Sequence, residues 1–347
     1  MKSLSDKVIG RLRAGTAEPD LGGTRYRLLE RVARGGMGVV YAAEDEKLER
    51  RVALKVLDVP GSDGDLANRL MREARVLARL EHPGIVPVHD VGTLADGRVF
   101  YTMKFVEGQR LDKFIEGVES VQDRLRLFLR ICEAVAFAHA RGVLHRDLKP
   151  ANIMVGPFGE VLVMDWGLAK ILHNEPQIEA PSADSEATIL ETPTKPLKHP
   201  ANNESASTRS SVITGHGTVM GTPGYMSPEQ ARGEVEVLDA RSDIFSLGAL
   251  LRFVLAQKTP SGFTPRLDRS LEAIYAKASA EQRETRYSAV QDLGQDVSRY
   301  LDGLAVGAHR EGIFDKLARF YRRYRFFILL ILAYLVMRVL LLLLLKR

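Results

Sequence analysis

Residues 145–152 read HRDLKPAN, a stretch of charged and amide side chains that follows a long apolar helical pattern. A short apolar run comes next and ends in MDWG at residues 164–167. Asp147 brings a carboxylate that can orient a hydroxyl group, and Asn152 and Asp165 bring oxygen atoms of the kind that magnesium binds. The two segments therefore predict a metal-dependent site, and the fold must bring them together.

A glycine-rich stretch and a lysine lie upstream of these segments. Residues 34–40, RGGMGVV, stand between two strand-like runs, where missing side chains let backbone N–H groups approach phosphates. Taken alone, this stretch is equally well read as a tight hairpin. Lys55 lies on an alternating apolar strand, where an ammonium group needs a partner such as Glu73, unless it is an edge lysine with its head in water. Phosphoryl transfer from ATP needs a carboxylate beside the hydroxyl, metal ligands and a cation on the phosphates, and this chain order supplies all three.

These motifs, in this order, resemble the eukaryotic-type serine/threonine protein kinases of bacteria over about residues 26–303. The resemblance implies an enzyme that uses ATP and Mg²⁺, with Mn²⁺ as an alternative ion, to phosphorylate Ser and Thr hydroxyls of protein substrates. It implies roles for six side chains: Asp147 as catalytic base, Lys149 on the γ-phosphate, Lys55 on the α- and β-phosphates and paired with Glu73, and Asn152 and Asp165 as magnesium ligands.

The resemblance also implies where nucleotide and substrate bind. Backbone groups of Lys104 and Val106, in the connector between lobes, would bind adenine. The other nucleotide contacts would come from Val32, Ala33, Arg34, Gly35, Gly36, Met37, Gly38, Val39, Val40 and Ala53. A protein substrate would lie beside the segment GTPGYMSPE, at Thr222, Pro223, Gly224 and Tyr225. This segment favours a protein acceptor over a small molecule, and Thr222 together with Lys149 favours serine and threonine over tyrosine.

Regulation is implied by Arg146, which stands next to the catalytic aspartate. An arginine there can receive a phosphorylated activation loop through charge-assisted hydrogen bonds. Thr214 and Thr218 are the candidate phosphosites, because they lie nearest to the substrate segment. Two supporting contacts are implied as well: Glu229 with Arg286, and Asp243 beneath the catalytic loop.

Hydrophobic patterning predicts an α+β architecture, in which strands and one main helix come first and helices dominate later. The expected bilobal protein-kinase-like fold has a small β-rich N-lobe over residues 26–103 and a larger helical C-lobe over residues 107–303. Residues 1–25 are expected to form a disordered leader. About residues 171–217 are expected to be a mobile insertion in the activation loop, because their composition cannot bury enough apolar area to offset ordering entropy.

The end of the chain predicts a membrane anchor. Residues 326–345, FFILLILAYLVMRVLLLLLL, are long enough to cross a bilayer core of about 30 Å as a transmembrane helix, and Arg338 is tolerated off-centre. A buried core helix and an interfacial helix are the alternatives, but an interfacial helix should show a polar face. Residues 304–325 form a basic juxtamembrane segment, so the positive-inside rule keeps the kinase domain cytoplasmic in a single-pass protein of the cell membrane.

Three departures from the family pattern stand out. Ala33 occupies the place of the first glycine of the phosphate loop, which is expected to weaken nucleotide binding without abolishing it. Trp166 replaces the usual phenylalanine after the magnesium aspartate, and its larger indole is expected to shift the active–inactive balance. The stretch between LLRFVLAQKTP, which ends at residue 260, and LEAIYAKASAEQRETRY, which begins at residue 271, is shorter than in the family, which puts substrate docking by that surface in doubt.

These departures leave a rival reading, a membrane-anchored pseudokinase that binds nucleotide and acts as a scaffold or sensor. A nucleic-acid-binding protein would explain the pI of about 9.2, but the positive charge is concentrated in the C-terminal tail and not on the domain. No nucleic-acid partner is therefore expected. A homodimer that autophosphorylates in trans is compatible with the family, and the single cysteine, Cys132, excludes an internal disulfide framework.

Overall fold

The computed structural model describes residues 18–35, 38–57, 64–171, 222–258, 268–309 and 326–338. These residues form a sheet-based small lobe followed by a mainly helical large lobe, which confirms the bilobal α+β fold. Four residues of the predicted sites, Gly36, Met37, Thr214 and Thr218, lie outside the described residues, as does the predicted insertion from residue 172 onward.

The small lobe is an antiparallel sheet with the strand order β1-β2-β3-β5-β4 and one helix packed on it. The inner strands β3 and β5 carry continuous runs of buried residues, because both faces of the sheet are covered there. Helix α1 places Leu70, Ala74 and Leu77 against the sheet at helical spacing. The elements are β1 Tyr26–Gly35, β2 Gly38–Asp45, β3 Arg50–Val56, α1 Gly64–Ala78, β4 Val88–Thr93 and β5 Val99–Lys104.

The large lobe is built around the long helix α3, which packs against α5, α7 and strand β9. Ser120 caps its first turn by accepting a hydrogen bond from the Asp123 N–H. The elements of this lobe are β6 Gln109–Arg110, α2 Leu111–Phe114, α3 Val121–Ala140, β7 Val143–Leu144, β8 Ile153–Val155, β9 Val161–Val163, β10 Lys170–Ile171, α4 Pro228–Ala231, α5 Ala240–Ala256, α6 Arg269–Ala278 and α7 Val290–Leu301.

A buried arginine ties two of these helices together. Arg124, on α3, is fully buried, and its guanidinium donates to the carbonyl oxygens of Val118, Val254 and Gln257 at 2.6–3.0 Å. Two of these carbonyls lie at the C-terminal end of α5, where helix carbonyl groups have no intrahelical partner. Arg124 therefore caps a helix that is distant from it in sequence.

Both ends of the predicted domain extend further than expected. Leu21, in the predicted disordered leader, is buried in the cluster that includes Tyr26. At the other end Val306 is buried in the main core, and the N–H groups of Gly307 and Ala308 donate to Asp296 at 2.7 and 2.9 Å. The folded unit thus includes residues assigned from sequence to the leader and to the juxtamembrane segment.

Part of the predicted span is helical. Residues 326–338 form a helix whose side chains are mostly exposed, whereas residues 339–347 lie outside the described part. Among the residues that the structure describes, no helix has both the length and the apolar character needed to cross a bilayer.

Candidate active site

An ion pair joins strand β3 to helix α1 at the back of the cleft between the lobes. Lys55 Nζ donates to both carboxylate oxygens of Glu73, at 2.7 and 2.8 Å, and both side chains are buried. Burial alone would lower the pKa of Lys55, but the carboxylates of Glu73 and Asp165 outweigh it and raise the pKa above its usual value. The lysine therefore enters the site as an ammonium ion.

Three residues converge around the carboxylate of Asp147, which lies on the loop after β7. Lys149 Nζ donates to Asp147 Oδ2 at 2.6 Å and to Thr222 Oγ1 at 2.8 Å. The Thr222 hydroxyl in turn donates to Asp147 Oδ1 at 2.9 Å. Asn152 Nδ2 donates to the Asp147 carbonyl oxygen at 2.9 Å and to Asp147 Oδ2 at 3.1 Å. Asp147 is therefore held in one orientation by three residues of the large lobe.

Asp165 faces the lysine from the large lobe. Its Oδ1 lies 3.7 Å from Lys55 Nζ, and its side chain is 52% exposed, so it is open to the cleft. The backbone of Asp165 is left-handed, with φ of 58°, a strained conformation for a residue with a side chain. Met164, which precedes Asp165, donates its backbone N–H to the Asn152 carbonyl oxygen at 2.8 Å. Asp165 therefore connects the Lys55–Glu73 ion pair to Asn152 and Asp147 in the large lobe, and these side chains form one constellation.

Trp166 is buried directly beneath this constellation. Its indole N–H donates to the Val163 carbonyl oxygen at 3.3 Å, and its ring lies 4.6 Å from the His145 ring, centroid to centroid. The His145 Nε2 atom lies 3.0 Å from the Met164 carbonyl oxygen. The larger aromatic side chain is thus accommodated with its N–H satisfied, and it does not enter the cleft.

A buried carboxylate on α5 supports the loop that carries Asp147. Asp243 accepts the backbone N–H groups of His145 and Arg146, both at 2.8 Å, and its Oδ2 lies 2.7 Å from His139 Nε2. Burial opposes ionisation of Asp243, but the His139 contact and the Arg146 N–H outweigh it and lower the pKa of Asp243. Arg146 has φ of 69°, so this carboxylate stabilises a strained turn.

The Glu229–Arg286 contact expected from the sequence is a buried, bidentate ion pair. Arg286 Nη1 and Nη2 lie 2.7 and 2.9 Å from the two Glu229 oxygens. The remaining N–H groups of Arg286 donate to the carbonyl oxygens of Ala280, Arg241 and Glu281, so all five donors are used. This pair fixes the end of the substrate segment to the large lobe.

One face of the small-lobe sheet carries three of the predicted nucleotide residues, Val40, Ala53 and Lys55, whereas Val39 is buried in the core on the other face. The register places Ala33, Val40 and Lys55 opposite one another on β1, β2 and β3. Ala53, which lies two positions before Lys55, is paired with Met103 on β5 and shares that face. Val40 and Ala53 are half-buried and buried, whereas Val32, Ala33, Arg34 and Gly35 are exposed at the end of β1.

Gly38 allows two strands to pack closely, a role that was not predicted from the sequence. A side chain at this position would come within 2.2 Å of the Val56 carbonyl oxygen, and Gly38 has φ of 152°. Only glycine therefore lets β2 start this close to β3. Val39 is buried in the small-lobe core, and Lys104 and Val106 stand at the connector to the large lobe, with Lys104 exposed.

The predicted substrate segment begins beside Asp147, the predicted catalytic base. Pro223 is exposed, Gly224 has φ of 91°, and the Tyr225 carbonyl oxygen accepts the Ser246 hydroxyl at 2.7 Å. This segment is thus fixed to α5 at one end and to Asp147, through Thr222, at the other.

Two contacts in the site were missed by the sequence argument. The Tyr101 hydroxyl donates to Glu73 Oε1 at 2.9 Å. His139 Nε2 lies 2.7 Å from Asp243 Oδ2. A polar atom within an otherwise apolar run was the only signal available for either residue.

Comparison with known proteins agrees with this geometry. The family model for the protein kinase domain matches residues 26–192. The serine/threonine-protein kinase PknD of Protochlamydia amoebophila is 32% identical over 320 residues, which cover 80% of this chain and 30% of that protein. PknD of Chlamydia trachomatis serovar L2b is 36% identical over 316 residues, which cover 80% of this chain and 32% of that protein. The chain therefore spans about a third of the length of these curated relatives.

Solved structures support the same fold. The crystal structure of the Mycobacterium tuberculosis PknI kinase domain superposes with a TM-score of 0.52 at 21% identity, covering 79% of this chain and 96% of that one. At this identity the likeness bears on the fold alone. The family match, the fold and the arrangement around Asp147 lead to one conclusion: the chain carries a protein kinase domain, and the relatives that it resembles are bacterial serine/threonine-protein kinases.

Proposed function

We propose that this chain transfers the γ-phosphate of ATP to serine and threonine hydroxyls of other proteins. The observation that carries the proposal is the arrangement of Asp147, whose carboxylate contacts Lys149, Thr222 and Asn152 and opens on the same cleft as Asp165. The similarity to PknD proteins, about 35% identical, supports the serine/threonine class.

In this proposal Asp147 orients the acceptor hydroxyl and accepts its proton, the task of a positioned carboxylate in phosphoryl transfer. Lys149 and Thr222 hold that carboxylate. When ATP binds, the Lys149 ammonium group would turn towards the transferred phosphoryl group. Because both N–H bonds of the Asn152 amide face Asp147, its amide oxygen is the atom left for a cation. Lys55, kept charged by Glu73, would bind the α- and β-phosphates.

Magnesium fits the donor set, because it binds through few protein oxygens and completes its shell with water and substrate phosphates. Asn152 and Asp165 would hold it, or Mn²⁺ in its place, and the metal would neutralise charge on the phosphates. Adenine would pack beneath Val40 and Ala53. Its edge would contact the backbone of the connector residues Lys104 and Val106.

The test is phosphate incorporation by the full chain in detergent, with ATP, Mg²⁺ and a generic basic acceptor protein. Mapping of the product should find phosphoserine or phosphothreonine, and both labelling and autophosphorylation should disappear in Asp147→Asn. Nucleotide binding without transfer by the parent protein would instead favour the pseudokinase scaffold. Phosphotyrosine as the main product would contradict the proposed specificity.

Autophosphorylation in the activation loop is part of the proposal. Arg146 Nε is buried and has no hydrogen-bond partner among the described residues, which is consistent with an anion arriving there from the loop. Thr214 and Thr218 are the proposed acceptors. The Thr214→Ala/Thr218→Ala double variant should lose most of its activity, and activity equal to that of the parent would exclude these sites. A rate of self-labelling per enzyme molecule that rises with enzyme concentration would indicate transfer in trans, between two copies of the chain that meet as a homodimer.

We also propose that residues 326–345 anchor the chain in the cell membrane with the kinase domain on the cytoplasmic side. The support is the apolar sequence and the basic residues before it. The protein should stay with membranes after alkaline carbonate extraction, and truncation after residue 325 should release it. Extraction of the full chain by carbonate would contradict the anchor.

A further inference from the structure

A buried tyrosine links strand β5 to the carboxylate that holds Lys55. Tyr101 is 1% exposed, and its hydroxyl donates to Glu73 Oε1 at 2.9 Å. Lys55 Nζ donates to the same oxygen at 2.7 Å. The carboxylate of α1 is therefore held by two donors, one from β3 and one from β5.

The sheet fixes the position of this tyrosine. Lys55 and Tyr101 are directly opposite each other in the antiparallel pairing of β3 with β5, so both side chains point to the face that α1 covers. Lys55 Nζ lies 5.8 Å from the centre of the Tyr101 ring, within the range of a cation–π contact. Because both strands lie inside the sheet, the hydroxyl is presented to α1 by a rigid support.

The protonation states favour a permanent contact. Burial, reinforced by the charge of Glu73, raises the pKa of Tyr101 well above its usual value of 10. The phenol thus remains a donor throughout the physiological range. Lys55 is shared between Glu73 and Asp165, whereas the Tyr101 hydroxyl contacts only Glu73 in the part of the chain that the structure describes.

We infer that Tyr101 is a positioning residue, which holds Glu73 and helix α1 against the sheet so that Lys55 stays aimed into the cleft. The inference rests on the proposed kinase function for its effect on activity. When Lys55 turns towards phosphate, its own hold on Glu73 weakens, and the tyrosine is the donor that remains. Alignment of α1 would then depend on a contact built into the sheet and not solely on the activation loop.

The kinetic test is a double-mutant cycle in the full chain, with Tyr101→Phe, Glu73→Gln and the combined variant. Tyr101→Phe should lower kcat/KM for ATP about tenfold in the parent background, the scale of a hydrogen bond to a charged group. In the Glu73→Gln background, Tyr101→Phe should lower kcat/KM for ATP by less than about twofold, since the charged acceptor is then gone. Equal losses in both backgrounds would mean that Tyr101 acts by packing alone and would overturn the inference.

Tyr26→Phe is the matched control. This tyrosine is also buried in the small-lobe sheet, but its hydroxyl contacts Asp90 and Thr102 and not α1. Its kcat/KM for ATP should stay within about twofold of the parent.

Hydrogen exchange separates this inference from the proposed function, because it needs no turnover. Tyr101→Phe should speed exchange of the α1 amides about tenfold relative to those of α3, and Tyr26→Phe should not. Unchanged α1 exchange would overturn the inference even in an active kinase. Faster α1 exchange in a protein that never transfers phosphate would uphold the contact and refute the proposed function.

Discussion

Asp243 accepts the backbone N–H of Arg146 at 2.8 Å and so holds a residue with φ of 69° in place next to Asp147. The contact joins α5 to the loop that carries Asp147, and a second N–H, from His145, meets the same carboxylate. The shape of the loop that carries Asp147 therefore depends on the two carboxylate oxygens of Asp243, which comes from another part of the chain.

Asp243→Asn should disturb this support. The substitution replaces one acceptor oxygen with an N–H₂ group that faces a buried donor, which costs about 1–3 kcal/mol of stability. We expect the transfer rate to fall at least about tenfold through misplacement of Asp147, with little change in KM for ATP. Asp239→Asn, at the N-cap of the same helix, is the control and should leave both quantities unchanged. Parent-like kinetics in Asp243→Asn would contradict this account of the loop.

Thr222→Val tests the contact between the predicted substrate segment and Asp147. The variant keeps the shape of the side chain but loses the hydroxyl that contacts Asp147 and Lys149. Because hydrogen bonds to charged groups are worth about 1.5–3 kcal/mol, we expect kcat to fall about 10- to 100-fold. Thr222→Ser, which keeps the hydroxyl, should retain most of the activity. Equal kcat values for the valine and serine variants would show that this contact has no role in turnover.

Acid should weaken the fold through Glu229. Burial opposes its ionisation, but Arg286 and the Ser242 hydroxyl outweigh it and lower the pKa of Glu229 to about 2. A carboxyl group with a depressed pKa stabilises the fold above its unfolded value of 4.5 and loses that contribution as the pH falls towards 2. The contribution is about 3 kcal/mol.

Urea unfolding at several pH values checks this prediction. The free energy of unfolding should drop more steeply between about pH 4.5 and pH 2 in the parent than in Glu229→Gln, which has no charge to lose. Parallel curves for the two proteins would show that Arg286 does not depress this pKa.

Trp166 should behave as a packed core residue. Trp166→Phe keeps an aromatic ring against His145 but loses the hydrogen bond to Val163, and we expect a loss of about 1–2 kcal/mol. Trp166→Ala should cost about 3–5 kcal/mol, since it also leaves a cavity. Urea unfolding measures both values. Losses of similar size in the two variants would indicate that the indole is not packed as the structure shows.

The fold and the site could be predicted best where the spacing of apolar and charged residues indicates both an element and the partner of its charged side chain. Lys55 stands out because a charge interrupts an apolar strand, and the helical spacing that follows presents Glu73 as a partner. The length of α3 could be read from its apolar spacing, which ends where Gly142 follows. The bilobal fold then follows from the order of strands and helices.

Contacts between distant segments could not be predicted in this way. Tyr101 and Arg124 each lie in a run that reads as core, and what their polar atoms contact depends on elements from other parts of the chain. Thr222 was assigned to substrate binding, and its hydroxyl also contacts Asp147. Periodicity could not predict this contact, because it carries no information about which loops meet. Gly38 was read as a phosphate contact, whereas its missing side chain also permits the close approach of two strands.

We expect Asp147 to serve the transfer step and not nucleotide binding. The most direct measurement compares parent and Asp147→Asn for ATP affinity and for the rate of phosphate transfer from bound ATP. We predict that the affinity changes by less than about threefold while the rate falls about 10²- to 10⁴-fold, the usual contribution of a positioned acid or base. A variant that transfers phosphate at the parent rate would contradict the account.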